Sequence, residues 1–304
     1  MRLCQSLISK RLSGKVRANA FQWKPVIFIR RGICSKNIPF QPLEQYLQSK
    51  FPNSVIDNSS YDWRDSVLVN GARLADQVLK GAGDQPLVLI GHSMGGLLCR
   101  VANVIFQDPK LFDTNTSNLA NQLGYNGNDI AEIRKFGFRH MKTMPKPNLI
   151  VTLATPNSGA MLHGQISGIP ALLKLAARFF PPTNLESVAD LTTDRLFRFL
   201  EQFSVSTPVL SISGSKGNRF ARASGTISNW LENRGIKINM PNDLVVEDQS
   251  VDLHYSILPN EIVHHGRAQY LHARGYMDCT DVWHSNIYDD WNVRDLLVDC
   301  LQRC

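Results

Sequence analysis

Short apolar runs alternate along this chain with segments whose apolar residues recur every three or four positions. A short apolar run bounded by glycine or proline is typical of a buried strand, whereas the longer period indicates an amphipathic helix. The predicted strands are 26–29, 54–56, 86–90, 149–153, 207–214 and 268–273, and the predicted helices are 41–51, 66–79, 97–105, 129–136 and 291–301.

This alternation of strands and helices favours an α/β fold, a mostly parallel sheet with helices on both faces. The chain has 304 residues, of which 43% are hydrophobic, and can therefore bury the core of one large domain. We expect that domain at 24–304. Two segments, about 107–147 and 160–206, exceed ordinary loop lengths and are predicted insertions. Ligands of such sheets bind where the strands end.

The most informative segment is Gly91-His92-Ser93-Met94-Gly95, which lies between a predicted strand and a predicted helix. That order is the nucleophile elbow of serine hydrolases. Glycine is needed at both ends because the turn is tight and neighbouring backbone passes close. Ser93 is therefore the predicted nucleophile, and the backbone N–H of Met94 is the predicted first donor to an oxyanion. His92 is expected to pack beside the turn.

A serine of this type requires an acid and then a histidine, in that order along the chain. Asp243 and His284 both lie beyond the strand predicted at 207–214, and His284 precedes the last predicted helix. Asp248 and Glu247 are further candidates for the acid. Asp281 lies too close to His284 in sequence to receive the far nitrogen of its ring.

Five segments then carry a resemblance to known enzymes: 91–96 (GHSMGG), 149–159 (LIVTLATPNSG), 242–246 (NDLVV), 283–286 (WHSN) and 61–64 (YDWR). Together they resemble the α/β-hydrolase superfamily, and within it the lipase and GPI-inositol-deacylase-like group. YDWR also resembles a segment of lecithin-cholesterol-acyltransferase-like enzymes. The resemblance implies an α/β-hydrolase fold with a helical cap and a triad of Ser93, Asp243 and His284. It favours Asp243 over Asp248 because Leu-Val-Val follows the acid in that pattern.

The predicted oxyanion loop departs from the family pattern. The strand 26–29 is followed by Arg-Arg-Gly at 30–32, where the family usually has His-Gly. In our alignment Gly32 supplies the tight turn and Ile33 the second donor N–H, although an offset of one residue is open. Two further positions differ from the pattern, Leu244 where glycine is common and Asn157 where histidine is common.

The resemblance implies hydrolysis of carboxylic esters, with lipid-like or other acyl esters as substrates, through an acyl-enzyme and without a metal or organic cofactor. An acyltransferase would use the same triad with an alcohol in place of water. A non-catalytic binding scaffold is the other alternative, suggested by the missing His-Gly. The insertion at 160–206 is expected to form the cap, and its apolar stretch 168–180 is expected either to cover the acyl site or to be an ordinary packed helix.

The net charge of +7 is concentrated at one end of the chain. Residues 1–43 contain nine lysines and arginines and no acidic residue, so the remainder is close to neutral. A near-neutral body with one basic end does not indicate a nucleic-acid-binding domain. The leader at 1–23 is expected to be a mitochondrial-type targeting peptide, a membrane-surface anchor or a disordered segment.

The six cysteines show neither CxxC pairs nor metal-type spacing. We therefore expect reduced thiols and a cytoplasmic protein, with a mitochondrial or membrane-peripheral location as the alternative. Peripheral membrane contact would use the leader or the cap. Cys99, in the predicted helix after the elbow, is expected to be a small buried side chain.

Overall fold

The computed structural model describes residues 24–32, 40–113, 125, 127–157, 190, 196, 200, 207–214, 276–279 and 287–302. The leader at 1–23, the apolar stretch 168–180 and the strand predicted at 268–273 lie outside these residues. So do the predicted site residues Ile33, Asp243 and His284. The account below concerns the described part of the chain.

The elements follow the predicted alternation. The strands are β1 (Val26–Arg30), β2 (Val55–Asp57), β3 (Leu87–His92), β4 (Leu149–Leu153), β5 (Val209–Gly214) and β6 (Tyr276–Cys279); the helices are α1 (Gln41–Lys50), α2 (Val67–Gly81), α3 (Met94–Gln107), α4 (Gly127–Arg134) and α5 (Trp291–Leu301). The apolar pattern did not predict β6. The helix predicted from residue 97 begins instead at Met94, directly after Ser93.

The six strands form one sheet in the order β2-β1-β3-β4-β5-β6, and every neighbouring pair is parallel. The predicted parallel sheet is thereby confirmed. β1 lies between β2 and β3, so successive strands are added on one side of β1 and then on the other. This reversal is a topological switch point, and open α/β sheets bind ligands outside the strand ends at such points. Ser93 and Gly32 follow the two strands that meet there.

Helices cover both faces of the sheet, as the pattern predicts. Along β3, Leu89 points to the apolar cluster under α2, α3 and α4, and Val88 and Ile90 point to the cluster under α1 and α5. Each such side chain is buried and stabilises the fold by about 1.5–3 kcal/mol. A strand buried on both faces reads as a continuous apolar run, which explains why β3 was recognisable in the sequence.

The start of α2 is tied to a distant part of the chain. Ser66 accepts a hydrogen bond from the Val69 N–H, and the Val67 N–H donates to the Asp190 carboxylate at 2.6 Å. Such caps satisfy N–H groups that have no acceptor within the helix. Leu196 and Leu200 are buried in the same core cluster, so part of the insertion predicted at 160–206 packs against this face. None of the described helices combines the length and apolar character needed to cross a membrane.

Candidate active site

Ser93 occupies a sharp turn between β3 and α3. Its φ of 54° and ψ of −127° lie in a region that non-glycine residues rarely adopt, so the turn stores strain. The Ser93 N–H donates to the Leu153 carbonyl at 2.8 Å, which ties the turn to the end of β4. The Ser93 side chain makes no capping hydrogen bond to α3 and is partly exposed. This is the geometry that the elbow motif predicts for a nucleophile.

Three glycines allow the turn to be this tight. A Cβ atom on Gly91 would lie 2.3 Å from the backbone nitrogen of Gly96, and one on Gly96 would lie 2.0 Å from Oγ1 of Thr155. A Cβ atom on Gly95 would lie 2.2 Å from the carbonyl oxygen of Arg30. Real Cβ atoms do not come this close to other heavy atoms, so each position excludes a larger side chain.

The exit of β1 lies directly against the candidate nucleophile. A Cβ atom on Gly32 would lie 2.7 Å from Cβ of Ser93 and 3.1 Å from its Oγ. Only a glycine leaves room for the backbone at this point. The loop that the resemblance assigned to the oxyanion site is therefore beside Ser93, while the donor predicted at Ile33 lies outside the described residues.

Arg30, the last residue of β1, holds the start of this loop through its side chain. The residue is 1% exposed; Nη1 donates to the Asp57 carboxylate at 3.0 Å and Nη2 to Oε1 of Gln77 at 2.6 Å. Burial raises the pKa of Asp57, but hydrogen bonds from Ser59 and the charge of Arg30 outweigh it and hold that pKa below its ordinary value. Arg30 is thus committed to an internal ion pair and is not a cation open to substrate.

Arg31 is held by the segment that follows β2. Its Nε donates to Oδ1 of Asn58 at 3.3 Å, and its carbonyl oxygen accepts a hydrogen bond from the Tyr61 hydroxyl at 2.6 Å. Asn58 in turn donates to the Glu44 carboxylate on α1 at 3.1 Å. Arg31, which lies where the family usually has His-Gly, is therefore held both through its side chain and through its backbone carbonyl.

The loop after β4 carries a second strained residue beside the turn. Ala154 has a φ of 47°, and its N–H donates to the Ile212 carbonyl at 2.7 Å. Farther along, the backbone and side-chain oxygens of Asn157 accept hydrogen bonds from Nη1 of Arg100, at 3.0 and 3.2 Å. Burial lowers the pKa of Arg100 to about 10, which leaves the guanidinium charged at neutral pH. Asn157, where the family often has histidine, is thus an acceptor for a buried cation.

His92 packs beside the turn, as its position predicts. The residue is 4% exposed, and its ring lies 5.8 Å from the ring of Phe40 and 5.4 Å from that of Tyr288, measured between centroids. Phe40 and Tyr288 also stack on each other at 4.2 Å. Burial raises the pKa of Tyr288 to about 12, so its hydroxyl stays neutral. Tyr288, four positions after residue 284, therefore contacts His92, the residue before Ser93.

Of the five predicted site residues, the described part of the chain contains Ser93 and Met94. Met94 is the first residue of α3, where backbone N–H groups have no intrahelical acceptor. Sequence reasoning assigned no role to three residues that organise the site, namely Arg30, Tyr61 and Arg100. The available signals were a cation at the end of an apolar strand, the YDWR segment, and an arginine within an apolar helix.

Comparison with known proteins supports the fold. The sequence matches no family model and no curated protein. Among solved structures, the mature form of the Bacillus licheniformis lipase BlEst2 is similar over 92% of both chains, with a TM-score of 0.53 and 16% identity. Its propeptide form gives a TM-score of 0.51 and 15% identity over 90% of this chain, which spans half the length of that protein. The chain therefore has the α/β-hydrolase fold.

Proposed function

We propose that this α/β-hydrolase-fold protein is a serine hydrolase that cleaves carboxylic esters with lipid-like or other acyl groups. Ser93 is the nucleophile, His284 the general base and Asp243 the acid that orients the histidine. The Met94 N–H and the N–H of Ile33 bind the oxyanion. No metal or organic cofactor takes part in the proposed reaction.

The strained backbone of Ser93 is the observation that carries the proposal. A serine held at φ 54° costs free energy, about 1–3 kcal/mol, which the surrounding structure must offset. The strained turn places the side chain at the end of β3, at the switch point of the sheet and beside the backbone of Gly32. A buried structural serine needs neither that backbone conformation nor that neighbour.

The position of Tyr288 supports His284 as the base. Its ring contacts His92, the residue before Ser93. Residues 284 and 288 are four positions apart, so their Cα atoms lie at most about 14 Å from each other. A tether of this length is compatible with His284 as the base for the Ser93 hydroxyl, which is what the proposal requires. The acid has no comparable constraint in the described residues.

The proposed reaction proceeds in two halves. His284 takes the proton of the Ser93 hydroxyl as its oxygen attacks the ester carbonyl carbon, and the resulting oxyanion accepts hydrogen bonds at the start of α3. The ester C–O bond then breaks, and the leaving alcohol takes the proton from His284. Water, deprotonated by His284, attacks the acyl-enzyme carbonyl carbon; the bond from that carbon to the Ser93 oxygen then breaks, His284 returns the proton to this oxygen, and the carboxylic acid is released. Asp243 stabilises the imidazolium in both halves.

A fluorophosphonate probe tests the proposal directly, because it phosphonylates only an activated serine. We expect the wild-type protein to be labelled at Ser93, as mapped by peptide mass spectrometry. A series of nitrophenyl esters from acetate to palmitate, with and without an emulsion interface, would then give the preferred chain length. A folded wild-type protein that neither reacts with the probe nor cleaves any ester would contradict the proposal and favour a binding scaffold. Transfer to an added alcohol would indicate an acyltransferase.

A pair of substitutions tests the choice of acid. We expect Asp243→Asn to lower kcat by at least about 10³-fold, because the amide cannot hold the required histidine tautomer. Asp248→Asn is the matched control, with the same atoms exchanged five positions away, and should keep activity within about 2-fold of wild type. Nitrophenyl ester turnover of the two purified variants is the measurement. The opposite pattern would move the acid to Asp248 and leave Ser93 and His284 in place.

A further inference from the structure

We propose that Tyr61 is a positioning residue, one that holds the oxyanion loop in its working orientation through the Arg31 carbonyl. The inference rests on the proposed function, since an oxyanion loop has no purpose without a nucleophile. It assigns a role to the tyrosine of the YDWR segment, which otherwise lies outside the triad and its donors.

The Arg31 carbonyl is held from two sides. The Tyr61 hydroxyl donates to it at 2.6 Å, and the backbone of Gly95 lies against it, since a Cβ atom on Gly95 would be 2.5 Å from the same oxygen. Tyr61 is half-buried against the core cluster of α2, α3 and α4, so its ring has support of its own. The carbonyl therefore lies between the Tyr61 hydroxyl and the backbone of Gly95.

Fixing this carbonyl fixes the peptide that follows it. The bond between Arg31 and Gly32 is planar, so the orientation of the carbonyl sets the plane of the whole unit, including the Gly32 nitrogen. Gly32 touches Ser93, and its successor is the proposed second oxyanion donor. Glycine has no Cβ atom to restrict this turn, and the restraint must come from partners. Rotation of the peptide plane would displace the next N–H from the position that an oxyanion occupies.

The side-chain contacts described for Arg30 and Arg31 are made by other atoms of the loop. Arg30 is fixed through its side chain by Asp57 and Gln77, and Arg31 through its side chain by Asn58. These contacts restrain the two side chains, whereas the bond from Tyr61 is made to the peptide group between Arg31 and Gly32 itself. Among the contacts described for this loop, the bond from Tyr61 is the side-chain donor to that plane.

The test is Tyr61→Phe, which removes only the hydroxyl. Its matched control is Tyr46→Phe, because the Tyr46 hydroxyl also donates one side-chain hydrogen bond, to Asp295, but joins α1 to α5 on the other face. We expect Tyr61→Phe to lower kcat for nitrophenyl butyrate by about 10- to 100-fold with KM within 2-fold of wild type. The full loss of an oxyanion donor costs about 10²–10³ in rate, and misorientation costs less. Tyr46→Phe should leave both constants unchanged.

A transition-state mimic separates this role from a general structural one. A boronic acid forms a tetrahedral adduct with the nucleophile and engages the oxyanion donors, so its inhibition constant should rise in Tyr61→Phe by the same factor as kcat falls. Equal kcat and boronate affinity in wild type and Tyr61→Phe would overturn the positioning role while the proposed function stands. A change confined to KM, or loss of a cooperative melting transition, would also overturn it. A wild-type protein that binds no boronate and is not labelled by a fluorophosphonate would overturn the proposed function as well.

Discussion

Replacing Ser93 by alanine should reduce esterase activity to the uncatalysed background while the protein stays folded. The hydroxyl is the only group at this position that can attack a carbonyl, whereas it makes no capping hydrogen bond to α3. Deleting one partly exposed oxygen should therefore change the free energy of unfolding by less than about 0.5 kcal/mol. Activity against a nitrophenyl ester and a thermal melt of the same sample are the two measurements. His284→Ala should lose as much activity, because nucleophile and base act as a unit.

Ser93→Gly is the control that isolates the strain of the turn. It removes the same hydroxyl, and activity should be lost to the same extent. Glycine adopts positive φ readily, so this variant should be more stable than Ser93→Ala by about 1 kcal/mol. Activity in Ser93→Ala comparable to wild type would refute the assignment of the nucleophile. A glycine variant no more stable than the alanine variant would show that the φ of 54° carries no strain.

The strands and the sharp turn at Ser93 were predictable because their signals are local. β3 is a continuous apolar run followed by glycine, and the positions of Ser93 and Met94 follow from the motif itself. β6 was missed because Tyr276–Cys279 is four residues long and includes an aspartate, too short to show a period. The start of α3 was misjudged for a different reason. Gly95 and Gly96 disfavour a helix by about 1 kcal/mol each, but only glycine fits where α3 meets the oxyanion loop and the β4 loop.

The contacts that hold the oxyanion loop and the loop after β4 were not predictable because they join residues distant in sequence. Tyr61 and Arg31 are 30 positions apart, and Arg100 and Asn157 are 57 apart. No periodicity in the sequence reports such a pair. The departure from His-Gly at 30–32 was visible, but the sequence could not show how it is compensated. The structure answers that point, since the buried side chain of Arg30 forms an ion pair with the partly exposed Asp57 and so holds the start of the loop.

Gly95→Ala should abolish most activity by displacing the oxyanion loop from the elbow. The new methyl group would lie 2.2 Å from the Arg30 carbonyl oxygen and 2.5 Å from that of Arg31. Both atoms are backbone, so no change of side-chain rotamer relieves the contact. The loop and α3 must separate, which should destabilise the protein by about 1–3 kcal/mol, the usual cost of overpacking. The same separation withdraws the loop from Ser93, and kcat should fall by at least about 10²-fold.

Gly127→Ala is the matched control for Gly95→Ala. It adds the same methyl group at the first residue of α4, where a Cβ atom would have nothing within 4 Å, so stability and activity should not fall. Denaturant midpoints and the rate of fluorophosphonate labelling give the two readouts for both variants. If Gly95→Ala kept wild-type labelling and midpoint, the exit of β1 would not lie against the start of α3. If it lost stability but kept its labelling rate, the loop would touch the elbow without assisting the reaction. We expect both quantities to fall together, because the two carbonyls that the methyl group strikes belong to the loop beside the nucleophile.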